Sequence, residues 1–162
     1  MIGIDTFSWG KLIRLYKMKK WKEPIEEIIK ETDWFITIEG KKEFEHFYKN
    51  DIELLDYGTI LPVLGTKIPN YEKKGFDSND ASLLEYAAEK DYRIITEDRP
   101  MLLEGVTEKK NIVFLIDFFS ELTEKYEYFS TRELYQLLKL FRKWRNIKEE
   151  KATTIRKRRN KG

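Results

Sequence analysis

Residues 79–98, NDASLLEYAAEKDYRIITED, hold the clearest change of periodicity in the chain. Leu83, Leu84, Ala87 and Ala88 fall on one stripe at helical spacing. Asp80 sits in the first turn of that stripe, where exposed backbone amides favour a negative charge. Residues 92–96 then take on strand character, and Glu97 and Asp98 follow at once. A helix feeding a short strand is the repeating unit of a parallel α/β sheet.

Working outward, residues 1–5 form an apolar run closed by Asp5, which reads as another strand. Ser8 is placed to cap a helix in which Trp9, Leu12, Ile13 and Tyr16 share a face. Pro24 suits the first turn of a second helix carrying Ile25, Ile28 and Ile29. Residues 34–38 return to strand character, and residues 40–49 to helix, with Phe44 and Phe47 on one side. The stretch 50–78 is the hardest to read. Ile52, Leu54 and Leu55 suggest a short helix, after which Gly58, Pro62, Gly65, Pro69 and Gly75 punctuate the pattern. Residues 111–116 give a further strand with a continuous apolar run. Residues 131–147 give the clearest helix, with Leu134, Leu137, Leu138, Phe141 and Trp144 at steps of three and four. The expectation is an α/β protein in three layers, a central parallel sheet of four or five strands flanked by helices. Residues 1–150 are expected to form a single domain, and residues 151–162 a basic, flexible tail.

With 162 residues and 41% hydrophobic content, the chain has material for one core. The absence of cysteine excludes disulfides, thiolate zinc sites and cysteine nucleophiles. His46 is the lone histidine, which argues against histidine-based metal or acid–base chemistry. No apolar run approaches the roughly 20 residues needed to cross a bilayer, and no secretory leader is recognisable, so a soluble, cytoplasmic protein is expected with no membrane partner. The 31 basic and 29 acidic side chains nearly cancel, but the last twelve residues hold six positive charges and no negative one. A basic end on a slightly acidic body suits contact with a polyanion. Lys17, Lys19, Lys20 and Lys22 around Trp21 form either a substrate-facing patch or an ordinary solvated helix end.

The acids fall where a parallel sheet collects its ligands, outside the carboxyl ends of the strands. Asp5 ends the first strand, Glu43 lies one turn into the helix after the second, Asp80 opens a helix, and Asp98 follows the next strand. Carboxylates gathered in one cleft repel unless a cation compensates them, and all-oxygen donors suit Mg²⁺ or Mn²⁺. Each acid also has a plainer reading as a cap or a surface charge. Glu39 competes with Glu43, and Asp77 competes with Asp80.

These stretches resemble the PIN nuclease family. DTFSWGKL (residues 5–12) is similar to the family's opening acid and hydroxyl residues, and ITIEGKKEF (36–44) resembles its strand, threonine and helix leading to an acid. NDASLLEYAAEKDYRIITED resembles its later helix, strand and final acid. The resemblance covers most of residues 1–116. It implies a three-layer PIN-like fold and a Mg²⁺- or Mn²⁺-dependent ribonuclease with Asp5, Glu43, Asp80 and Asp98 as catalytic metal ligands. Thr6, Ser8, Asp77 and Thr96 become candidate groups behind those ligands, and Arg99 a candidate phosphate contact. Expected partners are an RNA substrate, a candidate antitoxin or ribonucleoprotein partner, and a second copy in a homodimer. The competing expectations are a PIN-like RNA-binding or assembly protein, and a toxin-like subunit held inactive by a partner.

Overall fold

In the computed structural model, residues 1–65, 68–97 and 111–144 are described. Asp98, Arg99 and the basic tail 151–162 lie outside the described residues. Five parallel strands form the sheet: β1 (Ile2–Ile4), β2 (Trp34–Thr37), β3 (Gly58–Leu61), β4 (Arg93–Ile95) and β5 (Ile112–Val113), in the order β3-β2-β1-β4-β5. The order reverses between β1 and β4, the place where a doubly wound sheet opens a crevice at its carboxyl edge.

Alternation along the strands divides the apolar residues between the two faces. Ile4, Trp34, Ile36 and Ile95 join one core with α1 (Thr6–Tyr16), α2 (Lys22–Glu31), α6 (Leu115–Tyr126) and α7 (Thr131–Lys143). Phe35, Ile94 and Ile112 join a second core with α4 (Ile68–Lys73) and α5 (Ser78–Lys90). Helices therefore cover both faces. α3 (Ile38–Phe47) follows β2 directly and packs on α5.

Several local expectations are corrected. Asp5, not Ser8, caps α1; its carboxylate accepts the Ser8 amide at 2.8 Å, and the helix begins at Thr6. The strand expected over 111–116 ends after two residues, and FLIDFF turns into α6, burying Leu115, Phe118 and Phe119 at helical spacing. The obscure region holds a kinked 3₁₀ segment (Lys49–Tyr57), the edge strand β3 and α4. α7 stops at Lys143, and its start carries a reciprocal cap between Ser130 and Glu133. Leu137 and Phe141 are buried on α7, and Trp21 is buried after α1. Among the described residues no helix is long and apolar enough to cross a membrane.

Candidate functional site

Asp5 stands at the carboxyl end of β1, beside the reversal in strand order, and is only 4% exposed. Strand β4 ends next to it, and the Thr96 hydroxyl donates to Asp5 Oδ2 at 2.5 Å. Oδ1 accepts the Ser8 amide, so both carboxylate oxygens are held. Burial pushes the Asp5 carboxyl above its ordinary value of 3.8; bonding from Ser8 and Thr96 opposes the rise, and the charge of Glu97 adds to it.

A chain of small polar groups runs from Asp5 towards the other helices that start at this edge. Asn79 Nδ2 donates to Thr6 Oγ1 at 3.3 Å, tying the start of α1 to the start of α5. Thr37 caps α3 by accepting the Gly40 amide at 3.2 Å, and its hydroxyl lies 2.6 Å from Ser82 Oγ on α5. Ser82 in turn donates to the Asn79 carbonyl at 2.7 Å. Gly40 is required by this approach, because a Cβ there would lie 3.0 Å from Asn79 Oδ1. Glu43, one turn further along α3, and Asp80, the neighbour of Asn79, are both half-buried. Asp77 is exposed and serves as the N-cap of α5, accepting the Asp80 amide at 2.9 Å.

No family model matches this chain, and neither curated proteins nor solved structures give a match.

Of the expected residues, Asp5, Thr6, Ser8 and Thr96 are thus brought into one hydrogen-bonded group or its immediate neighbours. Asp77 and Asp80 are joined through a cap. Among the described residues no three acids converge closely enough to enclose a metal ion. The side-chain oxygens of Asp5, Thr6 and Thr96 belong to this group, and Asn79 Oδ1 is buried with no hydrogen-bond partner among the described residues. Oxygen donors of this type suit Mg²⁺ or Mn²⁺, but among the described residues their number and spacing do not enclose one.

Asn79, Ser82, Lys11 and Glu97 lie outside the expected site residues, and Thr37 enters only as the threonine of ITIEGKKEF. Lys11, Thr37 and Ser82 are buried polar residues with apolar neighbours in sequence, which is the signal that could have found them, whereas Asn79 is buried within the polar run DSND and gives no such signal. Lys11 Nζ meets Glu97 Oε2 at 3.0 Å, and Glu97 Oε1 accepts the Leu115 amide at 3.0 Å.

Proposed function

We propose that this protein is a divalent-metal-dependent nuclease of the PIN type, a ribonuclease cutting RNA phosphodiesters endonucleolytically by water attack, and that it works in the cytoplasm. The observation that carries this reading is the buried Asp5 carboxylate at the sheet's reversal point, held on both oxygens by Ser8 and Thr96. Rigid support of this kind is what a ligand or catalytic acid needs. Glu43 and Asp80 belong to helices that start at the same edge, and Asp98 follows Thr96 in sequence by two residues.

In this reading a bound Mg²⁺ or Mn²⁺ ion supplies charge neutralisation at the phosphate and activation of the attacking water. Asp5, Glu43, Asp80 and Asp98 would hold that ion, although the three described acids among them do not converge in this structure. Thr96 and Ser8 fix the angle of the Asp5 carboxylate, Thr6 and Asn79 keep α1 and α5 in register around it, and Arg99 binds the phosphate. Asp77 supports Asp80 through the α5 cap.

The second reading is an RNA-binding or assembly protein, or a toxin-like subunit held inactive by an antitoxin or ribonucleoprotein partner. What favours it is that no three acids converge among the described residues. Mn²⁺-dependent cleavage of labelled single-stranded RNA decides between the two, run with wild type, Asp5→Asn and Asp98→Asn. The nuclease reading expects cleavage that both substitutions abolish while the fold persists. Cleavage indifferent to both, or none on a broad set of RNA and DNA substrates, would favour binding or assembly.

A further inference from the structure

Helix α7 turns a surface of one charge sign to the solvent. At 3.6 residues per turn, Arg132, Tyr135, Lys139, Arg142 and Lys143 share about a third of its circumference, opposite the buried Leu137 and Phe141. All five are exposed. From Arg132 to Lys143 the row runs about 16 Å along the helix. Glu133, the one acid of α7, is half-buried and tied into the Ser130 cap.

Helix stability does not account for this arrangement. α2 and α3 offset exposed lysines with acids of the same helix: Lys30 meets Glu26 at 3.0 Å, Lys41 meets Glu45 at 3.8 Å and Lys42 meets Glu39 at 3.2 Å. On α7 none of the four cations has an ion-pair partner among the described residues. Lys139 and Lys143 stand four apart, a like-charge spacing that destabilises a helix. Arg132 lies in the first turn, where the helix dipole opposes a cation, and only Arg142 and Lys143 gain from that dipole at the other end.

Two contacts give the face its partner chemistry. Lys20 Nζ donates to Gln136 Oε1 at 2.5 Å, which sets a fifth cation against the row. The Tyr135 ring is 59% exposed, with the Lys139 ammonium 4.9 Å from its centroid. An open ring among unpaired cations suits a polyanion that also carries flat, unpaired bases: the cations take phosphates and the ring takes a base.

We propose that the outward face of α7, from Arg132 to Lys143, binds single-stranded RNA, with its cations on the phosphates and Tyr135 under a base. The choice of RNA rests on the function proposed above. The binding itself needs no divalent ion, so it serves a protein that cuts the strand and one that only holds it.

The test is fluorescence anisotropy of labelled oligo(rU) with the full chain in EDTA, over a range of salt. Lys139→Gln with Arg142→Gln and Lys143→Gln is expected to weaken binding about tenfold or more and to flatten the log–log salt slope by about 2, at roughly 0.7 per phosphate contact. Lys30→Gln with Lys41→Gln and Lys42→Gln removes as much charge from α2 and α3 and is expected to stay within about twofold of wild type. Tyr135→Ala is expected to lose about tenfold on oligo(rU) and nothing on duplex RNA, with Tyr135→Phe close to wild type. These side chains are exposed, and circular dichroism checks that each variant keeps its helices. An unchanged salt slope in the α7 variant, an equal loss in the α2 and α3 variant, tighter binding of oligo(dT) than of oligo(rU), or no binding by the wild type overturns the proposal. Asp5→Asn is expected to bind oligo(rU) as the wild type does, and its loss of binding would also overturn it. Binding without Mn²⁺-dependent cleavage sinks the nuclease reading alone, and cleavage without binding on α7 sinks this proposal alone.

Discussion

The hydroxyl of Thr96 donates to the carboxylate of Asp5 across 91 residues of sequence, joining the ends of the two adjacent strands β1 and β4. Both residues are buried. Thr96→Val keeps the shape and removes the donor, leaving a buried acceptor short of one partner. A loss of about 1–3 kcal/mol is expected, read from urea unfolding at neutral pH, with Thr96→Ser close to wild type.

Asp5 should make the fold less stable as pH rises. Its carboxyl is raised in the folded state, first by burial and then by Glu97, so the protonated form favours folding. The stabilisation is complete below the unfolded value of about 3.8 and is lost as pH climbs through the raised folded value. Asp5→Asn keeps an acceptor for the Ser8 amide and removes the buried charge. It is expected to melt higher than wild type at pH 7 in metal-free buffer, with the gap closing as pH falls towards 3.8. A gap that widens on acidification would contradict this.

The approach of α3 to α5 depends on Gly40. An added Cβ would press on Asn79 Oδ1 at 3.0 Å, against an intrinsic helical gain for alanine over glycine of about 0.5–1 kcal/mol. Gly40→Ala is therefore expected to lose about 1 kcal/mol in the wild-type background, a mid-range overpacking cost of about 2 kcal/mol less the helical gain. The same change in an Asn79→Ala background is expected to be stabilising. The sign reversal is measured by a double-mutant cycle in urea.

Helix α7 begins with Ser130 accepting the Glu133 amide at 3.1 Å while Glu133 accepts the Ser130 amide at 3.0 Å. Ser130→Ala is expected to cost about 1 kcal/mol. Because the cap is exposed and far from Asp5 in sequence, the substitution should leave Mn²⁺ binding unchanged in the same preparation.

Periodicity made most of the architecture legible. The stripe on α5, the helical spacing on α7 and the acids after short apolar runs sufficed to place a parallel sheet between helices. What escaped was decided by distant residues. GTIL at 58–61 is short, opens with glycine and leaves Thr59 and Ile60 exposed, so its strand character comes from pairing with β2. FLIDFF is ambiguous by composition, since a short apolar run suits a buried strand or a buried helix. The helix prevails once Glu97 supplies the cap that Phe114 lacks. At the site, Asp5 was legible because strand and acid are adjacent in sequence. The Lys11–Glu97 pair was not, because 86 residues separate its members.

The strand order also sets a timetable. β1 leaves the ribosome well before β4, yet it lies in the middle of the sheet and needs β4 as a neighbour. At the usual pace of synthesis of about 5–20 residues per second, the wait is on the order of ten seconds. Through that interval one flank of β1 carries open backbone donors and acceptors, and the Asp5 carboxylate lacks the Thr96 hydroxyl. The nascent chain is therefore most exposed to wrong pairing, and most in need of a chaperone, before residue 96 has emerged.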